Sequence, residues 1–266
     1  MTETSPHLHD GRRRWPLAAA VVVVALVPII AGVAITSATV RAAPSANPYK
    51  PAAQIPTPSP SAGSSLPSGP GSLVALVRHS TTMHTSPRGR TFAKLPTKTE
   101  FGSPQALWVR AHRGNWLGVV SPLAGNGKLG WIPRSAVSLA RESWELRVSL
   151  GRRQLTVLNN GKTQKRYTVA VGRPTAPTPT GSFAVTDRLD TGDPAGPYGC
   201  CILALSAKSP HAIQGWGGGD RIAIHSTPET SSIGLPVSHG CMRLSLAEGR
   251  WLLGHIPLGT PTVISS

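Results

Sequence analysis

The residues best suited to chemistry lie in Ser238-His239-Gly240-Cys241-Met242-Arg243-Leu244, preceded by Ile224-His225-Ser226 at the end of a strand-like run. A cysteine attacks a carbonyl as its thiolate, so it needs an imidazole to take the proton and a third group to orient that imidazole. Cys241, His225 and Ser226 can fill those three roles. Gly240 lets the backbone approach a substrate closely, and the amide N–H groups of His239, Gly240 and Cys241 can face a developing oxyanion. The pattern points to acyl transfer through a thioester. Taken singly, a Cys is more often a small buried apolar residue and a His a hydrogen-bonded structural one, but the cluster outweighs that reading. Zinc held by His225, His239 and Cys241 is the other chemical use of these side chains. Neither C-x-x-C nor H-E-x-x-H accompanies them, and no metal is expected.

A histidine, twelve residues, then Ser-His-Gly-Cys-apolar-Arg-Leu resembles the signature of the L,D-transpeptidases, the YkuD-like cell-wall enzymes. The resemblance covers roughly residues 143–265 and implies that Cys241 is the nucleophile, His225 the base, Ser226 its orienting partner and His239-Gly240-Cys241 the oxyanion site. It also implies a β-sandwich with the site at one end, peptidoglycan stem peptides as substrate, covalent inhibition by carbapenems and no cofactor. Arg243 occupies a position that is Asn or Arg in the family; with Ser238 and Tyr198 it is a candidate for holding acidic or backbone groups of the stem. If water rather than an amine resolves the thioester, the same site is an L,D-carboxypeptidase. A non-catalytic wall-binding protein is the reading from a different class, and the intact Cys241, His225 and Gly240 weigh against it.

Twenty-seven Lys and Arg stand against eleven Asp and Glu, and the excess is greatest in residues 44–142, with eleven against two. No arginine-rich helix, zinc finger or aromatic-basic motif accompanies that charge, which disfavours nucleic acid; an anionic envelope polymer or lipid surface fits better. Residues 1–14 end in Arg12-Arg13-Arg14, and Leu17 to Ile35 then run without a charge. A stretch of that length spans a bilayer core, and the arginines before it favour the cytoplasmic side. The expectation is a cytoplasmic tail at 1–14, an uncleaved single-pass anchor at 15–40 and an extracytoplasmic remainder facing the cell wall. A cleaved signal peptide, giving a secreted protein, is the rival.

Residues 41–71 are rich in Pro, Ser, Ala and Gly and read as an extended tether of about 3.1 Å per residue. Residues 72–140 read as a small all-β module. Leu73, Ala75 and Val77 alternate, as do Leu107 and Val109, and Asn126-Gly127 is a turn signal. Asn115 to Val119 and Gly130-Trp131-Ile132 resemble bacterial SH3-like barrels; core packing is the expected job of most of the tryptophans.

The region that must position the site, 143–266, opens with Trp144, Leu146, Val148 and Leu150 on one face of a strand. Asn159-Asn160-Gly161 reads as a hairpin turn. Further strands are expected at 181–185, 202–205, 221–225 and 262–264. A single helix begins at Ser245, with Glu248 completing a capping box, and stops before Pro257. The fold class is mostly β with one short helix. Gly217-Gly218-Gly219 lacks the Lys of a phosphate loop and reads as a connection. Cys200 and Cys201 are adjacent, and their pairing stays open at this level, whereas Cys241 is expected to be free. Protease added to intact cells should digest an epitope placed after Ser266 while sparing one before Met1; protection of the C-terminal epitope contradicts the assigned topology.

Overall fold

The computed structural model describes residues 49–55, 66–211 and 213–266. The expected cytoplasmic tail and membrane span lie outside the described residues, among which no helix is long and apolar enough to cross a membrane.

A two-residue strand, β1 (Lys50–Pro51), comes first in the chain. Seven strands follow: β2 (Ser72–Val77), β3 (Thr81–His84), β4 (Thr91–Leu95), β5 (Ala106–Arg113), β6 (Trp116–Val119), β7 (Gly130–Pro133) and β8 (Val137–Glu142). They form an antiparallel sheet in the order β4-β3-β7-β6-β5-β2-β8, an open series with no ladder joining β8 to β4 among the described residues. The alternation read in the sequence is what closes its core. Ala75, Val77, Leu107, Val109, Leu117 and Ile132 are buried together, because successive side chains of a strand face opposite sides of the sheet.

The remaining elements are β9 (Trp144–Ser149), β10 (Gln154–Asn159), β11 (Lys162–Thr168), β12 (Val171–Gly172), β13 (Gly181–Asp190), β14 (Cys201–Lys208), β15 (Arg221–Ser226), β16 (Pro236–Ser238), β17 (Met242–Leu244), α1 (Leu246–His255) and β18 (Pro261–Ser265). The main ladder runs β11-β10-β9-β18-β13-β14-β15-β17, while β12 and β16 pair separately. β13 belongs to two layers. Gly181 to Ala184 pair with β18, and from Val185 onward, across a register shift between Val185 and Asp187, the strand pairs with β14. Strands that switch sheets through a bulge make the corner of a sandwich. The two layers close on one core, with Leu146, Val148, Leu155 and Val157 facing Leu203, Leu205, Ile222 and Ile224.

Local chemistry explains the connections. Asn160 and Gly161 both have positive φ, 49° and 74°, as the tight hairpin turn between β10 and β11 requires. α1 starts on the expected capping box: Ser245 Oγ accepts the Glu248 N–H, and the Glu248 carboxylate accepts the Ser245 N–H at 2.9 Å. It places Leu252 against the core and ends before Pro257.

At the described end of the expected tether, Lys50 and Pro51 pair antiparallel with Asp190 and Leu189, and Tyr49 packs against the cluster that holds Cys241, so this segment is stitched to β13 of the larger sheet. The small sheet likewise packs on the other half of the structure. Val74 and Ala106 join the main core, and the turn at 99–101 reaches a buried charge cluster. There Arg221, 3% exposed, donates to the Leu205 carbonyl at 2.7 Å and to Glu100 at 2.5 Å, and lies 3.5 Å from Asp187. Thr99 donates to the same Asp187 carboxylate. Burial pushes the Asp187 carboxyl up, and the Arg221 charge opposes that rise. Removing one member of a buried pair leaves the other uncompensated. Arg221→Met should therefore lower stability by about 3–5 kcal/mol in urea melts, while Glu100→Gln, at the exposed rim, should cost about 1 kcal/mol or less.

Candidate active site

β15 and β17 run parallel with Ile224 opposite Met242 and His225 opposite Arg243. Ile224 and Met242 face the main core, so alternation turns Ala223 and His225 on β15, and Cys241 and Arg243 on and just before β17, to the other face. The Ala223 N–H donates to Cys241 Sγ at 3.3 Å, which places the sulfur one step along the strand from His225. Positions 225 and 241, separated by an irregular loop, thus become diagonal neighbours on one rigid pair of strands.

His225 Nδ1 lies 2.8 Å from the Ser226 carbonyl oxygen. A carbonyl only accepts, so Nδ1 carries the proton and Nε2 is left as the basic nitrogen. Ser226 thus holds the imidazole, through its backbone. Its hydroxyl is used elsewhere, accepting the Cys201 N–H at 3.2 Å and donating to the Tyr198 carbonyl at 3.4 Å. The Tyr198 ring sits 4.9 Å from the His225 ring.

The loop before Cys241 is braced from within. Ser238 is buried; its hydroxyl donates to the Cys241 carbonyl at 2.5 Å and accepts the Gly240 N–H at 3.0 Å. That corrects the reading of Ser238 as a stem-peptide ligand, because its hydroxyl is engaged on both sides inside the loop. It also removes the Gly240 amide from the three expected to face an oxyanion, leaving those of His239 and Cys241. Gly240 has φ +115°, and a Cβ there would stand 2.8 Å from Ile222 Cδ1, so glycine is required by backbone and by space. His239 has an exposed side chain, and its carbonyl accepts from Gln214 Nε2 at 3.0 Å. Arg243 is partly exposed, and its charge disfavours protonation of His225 and favours the thiolate of Cys241.

Three contributors carry no motif in the sequence. Gln214 Oε1 accepts the Cys241 thiol proton at 3.3 Å. Trp216 shares a buried apolar cluster with Cys241, and its indole Nε1 is buried without a hydrogen-bond partner. Thr178 donates to the Gly240 carbonyl at 2.8 Å while accepting the Gly172 N–H, tying the Pro-rich loop to the nucleophile loop. The glycines around Gln214 and Trp216 read only as a connection, yet the Gln214 and Arg221 amides close this segment on Gly219 and Gly218. Cys200 and Cys201 are joined as a disulfide and Cys241 is free. Among the described residues no group of three or more His, Cys, Asp or Glu is placed to hold a metal ion.

Burial sets the resting protonation. Cys241 is 3% and His225 2% exposed. Desolvation pushes the thiol up to about 11 and the imidazole down to about 4, so both groups are neutral near pH 7.

Residues 143–264 match the YkuD family model, the L,D-transpeptidase catalytic domain. Over 122 residues the chain is 34% identical to the putative L,D-transpeptidase YkuD of Bacillus subtilis, covering 46% of this chain and 66% of that protein. It is 32% identical over 122 residues to the putative L,D-transpeptidase YqjB of the same organism, covering 42% and 65%. The chain spans just under two thirds of the length of the curated relatives it matches. Among solved structures, L,D-transpeptidase 3 from Mycobacterium tuberculosis in complex with a faropenem-derived adduct is similar at 20% identity and a TM-score of 0.38, covering 51% of this chain and 66% of that one.

The depressed imidazole gives a pH test. Between about pH 4 and 6.5 the unfolded chain binds a proton at His225 that the folded protein refuses, so stability rises with pH across that window and is lost as pH falls through it. Comparing urea melts at pH 4.5 and 7.5, the loss at the lower pH should be smaller in His225→Gln than in the wild type by on the order of 2 kcal/mol; equal losses rule out the buried neutral imidazole.

Proposed function

We propose that residues 143–264, whose sequence places them with YkuD-type L,D-transpeptidase catalytic domains, cross-link peptidoglycan through an acyl-enzyme on Cys241. The observation that carries this reading is the pairing of β15 with β17, with Cys241 beside Ala223, His225 next along the same face and His225 Nδ1 held by the Ser226 carbonyl. A nucleophile, a base of fixed tautomer and a group orienting that base are what thioester chemistry needs.

Cys241 Sγ bonds to the carbonyl carbon of the donor stem's third residue as the thiol proton passes to His225 Nε2. Because burial disfavours a separated thiolate and imidazolium, proton transfer accompanies C–S bond formation rather than preceding it. The carbonyl electron pair moves to oxygen, where the His239 and Cys241 amides are the available backbone donors. Collapse breaks the C–N bond, and the terminal D-alanine leaves as an amine with the proton from Nε2. An amine of a neighbouring stem then attacks the thioester, gives its proton to Nε2 and displaces the sulfur, which takes that proton back. Arg243, opposite His225 on the paired strand, and Tyr198, against the imidazole, would contact the stem. Neither step calls for a metal or redox carrier.

The anchor at 15–40 would hold this chemistry on the outer side of the membrane. The basic 72–140 module, read as SH3-like, would engage the anionic wall. Mass spectrometry of muropeptides incubated with the purified chain tests the reaction: a dimer with loss of D-alanine supports transpeptidation, and a shortened monomer alone assigns the site to carboxypeptidase chemistry. Cys241→Ala should abolish both products and the covalent adduct with a carbapenem, whose strained amide acylates the same sulfur. His225→Ala should slow acylation by about 10²–10⁴-fold. Turnover by Cys241→Ala, or an adduct mapped to Cys200 or Cys201, overturns the site.

A further inference from the structure

The peptides of the loop that ends on Cys241 are held one by one. Gln214 Nε2 donates to the His239 carbonyl at 3.0 Å. The Ser238 hydroxyl accepts the Gly240 N–H at 3.0 Å and donates to the Cys241 carbonyl. The peptide between Gly240 and Cys241 is reached from a distant part of the chain: Thr178 Oγ1 donates to the Gly240 carbonyl at 2.8 Å and accepts the Gly172 N–H at 2.9 Å. Thr178 is 4% exposed, so these bonds are shielded from water. Its backbone is stiff for a reason already present in the sequence. Thr178 lies between Pro177 and Pro179; a residue before proline is confined to extended conformations, and proline fixes its own φ. The segment before Thr178 is in turn tied to the nucleophile loop, with the Arg173 N–H on the Ser238 carbonyl at 2.9 Å and Gly172 of β12 paired with Ser238 of β16. The Gly240 carbonyl thus meets a fixed donor on a fixed frame.

A trans peptide is planar, with its N–H pointing opposite its C=O. Holding the Gly240 carbonyl therefore sets the direction of the Cys241 N–H, which donates to no backbone carbonyl among the described residues. The neighbouring Gly240 N–H, by contrast, is already taken by Ser238. We propose that Thr178 is a positioning residue for the oxyanion: by holding the Gly240 carbonyl it aims the Cys241 N–H at the oxygen of the carbonyl that Cys241 attacks. Thr178 touches neither substrate nor the reacting atoms. The inference rests on Cys241 as the nucleophile, and it holds whether an amine or water resolves the acyl-enzyme. As Sγ bonds to the carbonyl carbon, the C=O electron pair moves onto oxygen. An N–H oriented beforehand stabilises that charge without reorganisation, and the attacking residue's own amide serves this way in acyl-transfer sites on unrelated folds. Without the hydroxyl, the Gly240 peptide loses its anchor and is free to rotate.

Two reactions of Cys241 in the full chain separate this role from packing. Acylation by a carbapenem puts negative charge on a carbonyl oxygen, whereas alkylation by iodoacetamide displaces iodide and makes no oxyanion; its rate follows the thiolate fraction and the access of reagent. Thr178→Val keeps the shape of the side chain and removes the hydroxyl. Its acylation rate at saturating carbapenem should fall by about 10- to 100-fold, the scale of a misaligned oxyanion donor. The half-saturating concentration and the alkylation rate should stay at their wild-type values. Thr178→Ser returns the hydroxyl and should restore acylation. Thr178→Ala takes the place of Thr178→Val should the latter not fold. Equal changes in both reactions reduce Thr178 to packing of the loop, and a raised half-saturating concentration with the limiting rate intact assigns it to binding; either result overturns the proposal, as does unchanged acylation. Failure of the nucleophile assignment itself looks different: the wild-type thiol alkylates but forms no acyl adduct.

Discussion

The parallel pairing of β15 with β17 is the constraint from which the rest of the site follows. Parallel strands need a connection between them, and here it is the segment from 227 to 241, which includes β16 and whose last residues are braced by Ser238, Thr178 and Gln214. Because opposite residues on paired strands share a face, setting Ile224 against Met242 in the core leaves no choice about Ala223, His225, Cys241 and Arg243. A slip of one residue in either strand would send the thiol into the main core. The register is protected by the apolar residues that alternate with the chemical ones.

Burial of that face has a chemical consequence. A cysteine and histidine in water near neutral pH share a proton at little cost, but here both charged forms are disfavoured and the resting pair is neutral. The site compensates with fixed dipoles and charge: the Ala223 amide on sulfur, the Ser226 carbonyl on Nδ1 and the Arg243 guanidinium. These are already oriented before a substrate arrives, so little reorganisation is left for the reaction. Gln214 accepts the thiol proton at rest, and a substrate carbonyl reaching the sulfur must compete with that contact.

Residues 143–264 do not make this environment alone. Phe101 stacks on the buried Trp216, and Arg221 is satisfied in part by Glu100; both partners come from the connection between β4 and β5. The short strand at Lys50–Pro51 adds a further edge contact on β13 and delivers Tyr49 to the cluster around Tyr198 and Cys241. Elements on either side of a composition boundary thus share one packed interior, and a boundary drawn from Pro, Gly and Ser content does not mark where contacts stop.

Much of this was legible in the residues. Period-two alternation at 144–150, the Asn160-Gly161 turn and the Ser245–Glu248 capping box are local, because each depends on backbone geometry within a few residues. The spacing of His225, Gly240 and Cys241 pointed to a thiol site because few other uses need those types together. Strand lengths were less accessible: β13 runs to Asp190 and β14 to Lys208 because pairing, not propensity, sets where a strand ends. Tertiary structure alone decided that the Ser226 carbonyl meets His225 Nδ1, that the Ser238 hydroxyl is spent inside its loop, that Cys200 and Cys201 are joined, and that Gln214, Trp216, Thr178 and Phe101 pack around Cys241 and its loop. Those outcomes depend on which groups meet after distant segments pack, and buried polar groups take whichever partners that packing brings within reach.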